Sequence, residues 1–105
     1  MIVVRVTYTC KQEFVEQNKA NIQNVMGDLK SKPGVFYFVL TTISDAASTF
    51  THTTFFKNEE ANKSLLTLPS FVHFQAELRA YGLVGAPVTE HPTLVGSSRD
   101  IELVM

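Results

Sequence analysis

The stretch from Pro33 to Phe56, PGVFYFVLTTISDAASTFTHTTFF, constrains the fold more than any other part of the chain. Pro33-Gly34 stops whatever precedes it, because proline cannot continue a helix and glycine permits a sharp turn. Val35 to Leu40 are six apolar or aromatic residues in a row. Ser44-Asp45-Ala46-Ala47 is small and polar and reads as a turn, and Ser48 to Phe56 is a second strand rich in Thr and Phe. Strands joined this closely pair antiparallel, and antiparallel sheets with one wet face alternate apolar and polar residues. Val35–Leu40 does not alternate, so both of its faces need cover. A chain of 105 residues has material for one helical layer. The expected cover on the other face is a second copy of the chain, which makes the protein a homodimer.

The remaining elements fall around this hairpin. Ile2 to Tyr8 reads as a strand, apolar on both faces apart from Arg5 and Thr7. Thr9 is placed to cap a helix, with Gln12 three residues on as in a capping box. That helix is expected from about Cys10 to Lys30, with Phe14, Val15, Ile22, Val25, Met26 and Leu29 at helical spacing and Asn18 on the same stripe. Asn58 caps a short helix whose first turn carries Glu59 and Glu60, where carboxylates meet the positive end of the helix dipole. It fades near Leu66–Leu68. Pro69 suits the first turn of a third helix that ends at Gly82, with Phe71, Phe74, Leu78 and Tyr81 as its buried stripe. Gly85-Ala86-Pro87 reads as a loop, and Val88 to Val95 as a last strand at a sheet edge because it contains Pro92. The tail, SSRDIELVM, alternates at Ile101, Leu103 and Met105 and is expected to dock. The order β-α-β-β-α-α-β predicts one α+β domain over residues 1–105. It is a ferredoxin-like sandwich, a four-stranded antiparallel sheet with helices on one face.

Composition narrows the function classes. Nine basic and ten acidic residues are near balance, and no two Lys or Arg are adjacent. A nucleic-acid partner is therefore not expected. A single cysteine, Cys10, excludes an internal disulfide and suits a reducing cytoplasm. Met1 leads straight into IVVRV with no charged leader, and no apolar run nears the ~20 residues of a membrane helix. No glycine-rich phosphate loop or nucleophile elbow is present, so no nucleotide cofactor is expected.

His52 is the residue best placed for chemistry. It shares one strand face with Phe50, Thr54 and Phe56. If Ser44–Ala47 form a four-residue loop, Ile43 opposes Ser48 and Tyr37 opposes Thr54, which gathers Tyr37, His52 and Thr54 on one face. A neutral His can take a phenolic proton, and Tyr can donate to a developing oxyanion. The alternative is a hydrogen-bonded His on an exposed or dimer-facing strand with no chemical role, and a one-residue slip in register would break the set. Gln75 and Asn18 sit on inward helical faces and either line a pocket or are satisfied by backbone. His73 pairs with Glu77 one turn on and reads as a solvated pair, and His91 reads as surface. Histidines at 52, 73 and 91 lack metal-ligand spacing, so no metal is expected. Arg5 reads as either an anion anchor in the pocket or a partner for a carboxylate across the dimer, with the second favoured. Cys10 reads as structural.

Residues 56–78, FKNEEANKSLLTLPSFVHFQAEL, resemble the antibiotic-biosynthesis-monooxygenase-like family of dimeric α+β barrel proteins. Phe56, Glu59-Glu60, Ala61, Pro69 and Phe71 sit at the family's aromatic, acidic, Ala, Pro and Phe positions, and Pro33-Gly34 before an aromatic strand also fits. The resemblance implies a dimer packed sheet to sheet, with a pocket between each sheet and its helices. It implies cofactor-independent oxidation of a small aromatic such as a quinol or polyketide. On the strand and helix faces read above, His52 and Tyr37 are then expected to be catalytic, and Thr54, Phe56, Asn18 and Gln75 to bind substrate. The chain departs from the pattern at three points. It has no Trp, Leu65 stands at the family's His position, and Gln75 stands near the haem-ligand position of the haem-degrading branch, so haem degradation is not expected. Two other readings stay open: a non-catalytic small-ligand-binding or stress-associated dimer, and an isomerase of a small metabolite.

Overall fold

A computed structural model describes residues 2–32, 38–44 and 48–98. Four strands, β1 (Ile2–Cys10), β2 (Phe38–Ile43), β3 (Thr49–Phe56) and β4 (Leu83–Glu90), form one sheet in the order β2-β3-β1-β4. Every pairing is antiparallel. Helices α1 (Val15–Lys30), α2 (Glu59–Thr67) and α3 (Pro69–Glu77) cover one face. This is the ferredoxin-like α+β sandwich expected from the order of elements.

The core lies between sheet and helices. Tyr8 and Cys10 of β1, Phe50 and Phe56 of β3, Ile22 and Val25 of α1, and Phe74 and Leu78 at the end of α3 are all buried there. The strand residues come from one parity of each strand, because successive side chains alternate across a sheet. Two local signals hold: Asn58 Oδ1 accepts from Ala61 N at 3.0 Å, and Pro69 opens α3.

Four sequence expectations are corrected. The first concerns the start of α1. Thr9 is not a helix cap but the partner of Thr49 in the sheet, and Cys10 N donates to Ser48 O at 2.7 Å. Sheet pairing carries β1 through Cys10, a 3-10 turn (Gln12–Phe14) follows, and α1 starts at Val15. Gln12 instead accepts from Ser48 Oγ at 2.6 Å.

The second concerns register. Ile43 opposes Phe50, not Ser48, and Val39 opposes Thr54. The ladder is shifted by two residues from the one expected, which changes partners and preserves faces. Pro33–Tyr37, the turn residues 45–47 and the tail from residue 99 lie outside the described residues, so the expected role of Tyr37 does too.

The third concerns β4. Gly85, Ala86 and Pro87 belong to the strand and face the single residue Tyr8 in a bulge between the Thr7–Val88 and Thr9–Val84 pairs. Gly85 takes φ 74°, which favours glycine, and an edge strand tolerates Pro87. Residues 91–97 form no regular element.

The fourth concerns the end of α3. The chain widens into a π-turn over Leu78–Gly82, whose extra residue per turn breaks the α-helical stripe and leaves Tyr81 63% exposed.

The outer sheet face also differs from the unbroken apolar surface that Val35–Leu40 suggested. Thr7, Thr9, Thr49, Thr51 and Thr53 stand on it, with hydroxyl pairs Thr7–Thr51 at 3.4 Å and Thr9–Thr49 at 3.3 Å. Arg5 has a carboxylate partner within its own chain, Glu90, 3.0 Å away.

Candidate functional site

Between the sheet and the helices lies a cavity of about 230 Å³. Its sheet wall includes Val6, Thr41, His52, Thr54 and Phe56. Its helical wall includes Ile22, Leu65, Phe71, Phe74 and Gln75. Mostly apolar walls around a few convergent polar groups are the ordinary make-up of a small-molecule site.

His52 is the polar centre. Alternation along β3 turns it inward beside Phe50 and Thr54, and the edge of its ring meets Phe74 at a centroid separation of 5.6 Å. Burial holds its imidazole down at about 4, so the ring is neutral at pH 7. Both ring nitrogens are bonded within the protein. Nε2 lies 2.8 Å from the Tyr8 hydroxyl, and Nδ1 lies 2.8 Å from Thr41 Oγ1.

Proton positions follow from the far end of this chain. Asn18 Nδ2 donates to the Tyr8 oxygen at 2.9 Å, which leaves the Tyr8 proton for His52 Nε2. A neutral imidazole has one donor and one acceptor, so Nδ1 carries the proton and donates to Thr41. The Thr41 proton is then free for whatever occupies the cavity. Burial also pushes the Tyr8 phenol well above its ordinary range, so it stays protonated. Asn18 is fully buried, and its Oδ1 has no hydrogen-bond partner among the described residues. Turning its amide over would reverse every bond: Tyr8 would donate to Oδ1, His52 Nε2 to Tyr8, and Thr41 to Nδ1.

The expected site residues divide accordingly. His52, Thr54, Phe56 and Gln75 all line the cavity. Asn18 lies beneath, bracing Tyr8. Tyr8 and Thr41 were missed. The inward parity of Ile2, Val4 and Val6 extends to Tyr8, which is the one hydroxyl on that face of β1, and this signal was available. Thr41 needed the register, which pairs it with His52. His73 pairs with Glu77 at 3.0 Å, as read, and His91 is exposed. Among the described residues no cluster of three or more His, Cys, Asp or Glu could hold a metal, and no helix is long and apolar enough to cross a membrane.

Comparison with known proteins gives the same architecture. A solved structure named antibiotic biosynthesis monooxygenase superposes with a TM-score of 0.79 at 10% identity, over 91% of this chain and 100% of that one. A protein from Bacteriodes thetaiotaomicron whose name places it with the antibiotic biosynthesis monooxygenases gives 0.82 at 13% identity, covering 94% and 93%. Rv0793 from Mycobacterium tuberculosis gives 0.78 at 8% identity, covering 93% and 98%. At these identities the likeness shows the fold. No curated protein matches the chain. The model of the antibiotic biosynthesis monooxygenase family matches residues 1–77, well over half of the sequence, and the chain belongs to that family.

Proposed function

We propose that the protein is a cofactor-independent monooxygenase-like enzyme acting on a small aromatic quinol or phenol, and that His52 draws the substrate proton through Thr41. The observation that carries this reading is the hydrogen-bonded chain Thr41–His52–Tyr8–Asn18, which ends in a hydroxyl on the wall of an apolar cavity. With the chain reversed, the Thr41 oxygen faces the cavity as an acceptor. A substrate hydroxyl gives its proton to Thr41 as Thr41 gives its own to His52 Nδ1. The resulting imidazolium donates to both Thr41 and Tyr8. The substrate anion, held in a dry site, itself supplies the electrons to oxygen, and the protein orients and desolvates it.

The energetics allow this. A ring held at about 4 accepting a proton from a phenol near ~10 is uphill by roughly 8 kcal/mol. Turnover at ~10 s⁻¹ corresponds to a barrier of roughly 16 kcal/mol, which leaves room for that step. Attraction between the imidazolium and the substrate anion in the same cavity lowers the cost further.

The reading includes a homodimer in a reducing cytoplasm. It draws on the family's dimeric habit, the threonine-lined outer sheet face and the buried free thiol of Cys10. A second reading, a binding protein without turnover, is favoured by one observation: both nitrogens of His52 are engaged inside the protein.

Oxygen uptake with 1,4-naphthalenediol separates the two. The enzyme reading expects uptake above autoxidation, reduced roughly 10²–10⁴-fold in His52→Ala and strongly reduced in Thr41→Val. Binding of the diol without accelerated uptake selects the second reading. Full activity in both variants removes His52 from the chemistry.

A further inference from the structure

Outside the Thr41–His52–Tyr8 chain the cavity lining holds three longer polar side chains: Asn62 of α2, Gln75 of α3 and, four residues after Gln75 in the π-turn, Arg79. Arg79 is the only charged residue lining the cavity among the described residues, and no carboxylate lines it. Arg79 is exposed, and its guanidinium makes no ion pair among the described residues, where the pairs are Arg5–Glu90, Lys19–Glu16 and His73–Glu77. Glu77, the carboxylate nearest to it along α3, is engaged elsewhere, accepting from Asn21 Nδ2 at 2.9 Å and pairing with His73. The side chains of Asn62 and Gln75 likewise have no hydrogen-bond partner among the described residues. The lining therefore offers amide and guanidinium N–H donors and one positive charge, and holds no carboxylate among the described residues.

We propose that Arg79, with Gln75 one turn before it, is an anion subsite of this cavity, and that the ligand is a one- or two-ring phenol carrying a carboxylate. The inference rests on the cavity being the phenol site proposed above. Ring count follows from volume: about 230 Å³ lies below the roughly 300–1,000 Å³ typical of pockets for drug-sized ligands, so a four-ring polyketide does not fit. Charge follows from Arg79. A planar guanidinium matches a carboxylate with two parallel hydrogen bonds, and Gln75, one turn before it, can add a donor. The hydroxyl meets Thr41, the rings meet Phe71 and Phe74, and the carboxylate stays beside the exposed Arg79, where its desolvation cost is small.

Three probes test this by ligand-fluorescence titration: 2-naphthol, 6-hydroxy-2-naphthoate and the uncharged, isosteric 6-hydroxy-2-naphthamide. The carboxylate is expected to bind about five- to tenfold more tightly than the amide, as suits a partly exposed pair. Arg79→Gln should bring the carboxylate to the level of the amide, and Arg79→Lys should keep part of the preference. Equal affinity of carboxylate and amide for the wild type overturns the subsite, as does a preference that survives in Arg79→Gln. If 2-naphthol binds while the carboxylate gains nothing, the subsite alone fails. If none of the three binds, the phenol-site reading fails with it.

Discussion

His52 is held neutral by burial, and its titration is therefore linked to folding. In the unfolded chain its ordinary value is 6.5, and in the fold it is about 4. Below pH 6.5 the unfolded state takes up a proton that the folded state refuses, so acid favours unfolding. The contribution is present in full above pH 6.5 and is lost as pH falls from 6.5 through 4. At pH 4 the loss from this one group is about 3 kcal/mol. Urea melts at pH 7 and pH 4 measure it. Carboxylates also titrate in this range, so the comparison is with His52→Gln, which has no proton to gain. The wild type should lose about 3 kcal/mol more than the variant between the two pH values. Equal losses would mean that the imidazole is not desolvated.

At the scale of elements, the junction of α3 and β4 leaves no room for a side chain at Gly82. The π-turn over Leu78–Gly82 brings Gly82 against the ring of Phe14, and Gly82 O accepts from Lys11 N at 2.7 Å. A methyl group at Gly82 would collide with Phe14 Cδ2 and stand 3.0 Å from Cε2. Phe14 is itself buried in the core and cannot swing into solvent. Gly82→Ala should therefore cost about 1–3 kcal/mol by overpacking. In a domain of this size each kcal/mol lowers Tm by roughly 4–8 °C, which calorimetry resolves. Phe14→Leu should recover part of the loss in the Gly82→Ala background, since it withdraws the ring. Unchanged melting of Gly82→Ala would show that the two segments are not so closely packed.

For the whole molecule, the proposed homodimer would assemble through the outer sheet face. It presents threonines, with Leu40, Val84 and Val88 among the larger exposed residues of its strands. Short, flat side chains permit close sheet-to-sheet approach, and their hydroxyls can bond across a seam as Thr7 and Thr51 do within the sheet. A dimer formed this way predicts sedimentation at twice the 11.7 kDa chain mass at micromolar concentration. Thr51→Glu puts a charge in the middle of the seam, where two copies would repel, and should yield a folded monomer. A monomeric wild type, or a Thr51→Glu protein that remains dimeric, would rule out this face as the interface.

What could be read from the sequence was whatever depends on near neighbours. Asn58 caps α2 because the amide it bonds is three residues away, and Pro69 starts α3 because its own ring presets φ. The inward parity of His52, Thr54 and Phe56 also held, since alternation along a strand survives any even shift of register. Tertiary structure decided the partners. Local periodicity says which face a residue takes and is silent about what stands opposite. The hydroxyl beside His52 on β2 is accordingly that of Thr41, and the one beneath it belongs to Tyr8, 44 residues earlier in the chain. Thr9 shows the same limit from the other side: its capping signal was sound in isolation and lost to a ladder with Thr49 forty residues away. A capping bond is a single contact, whereas a strand extended by one residue gains backbone bonds and a buried side chain together, so long-range pairing overrides the local preference.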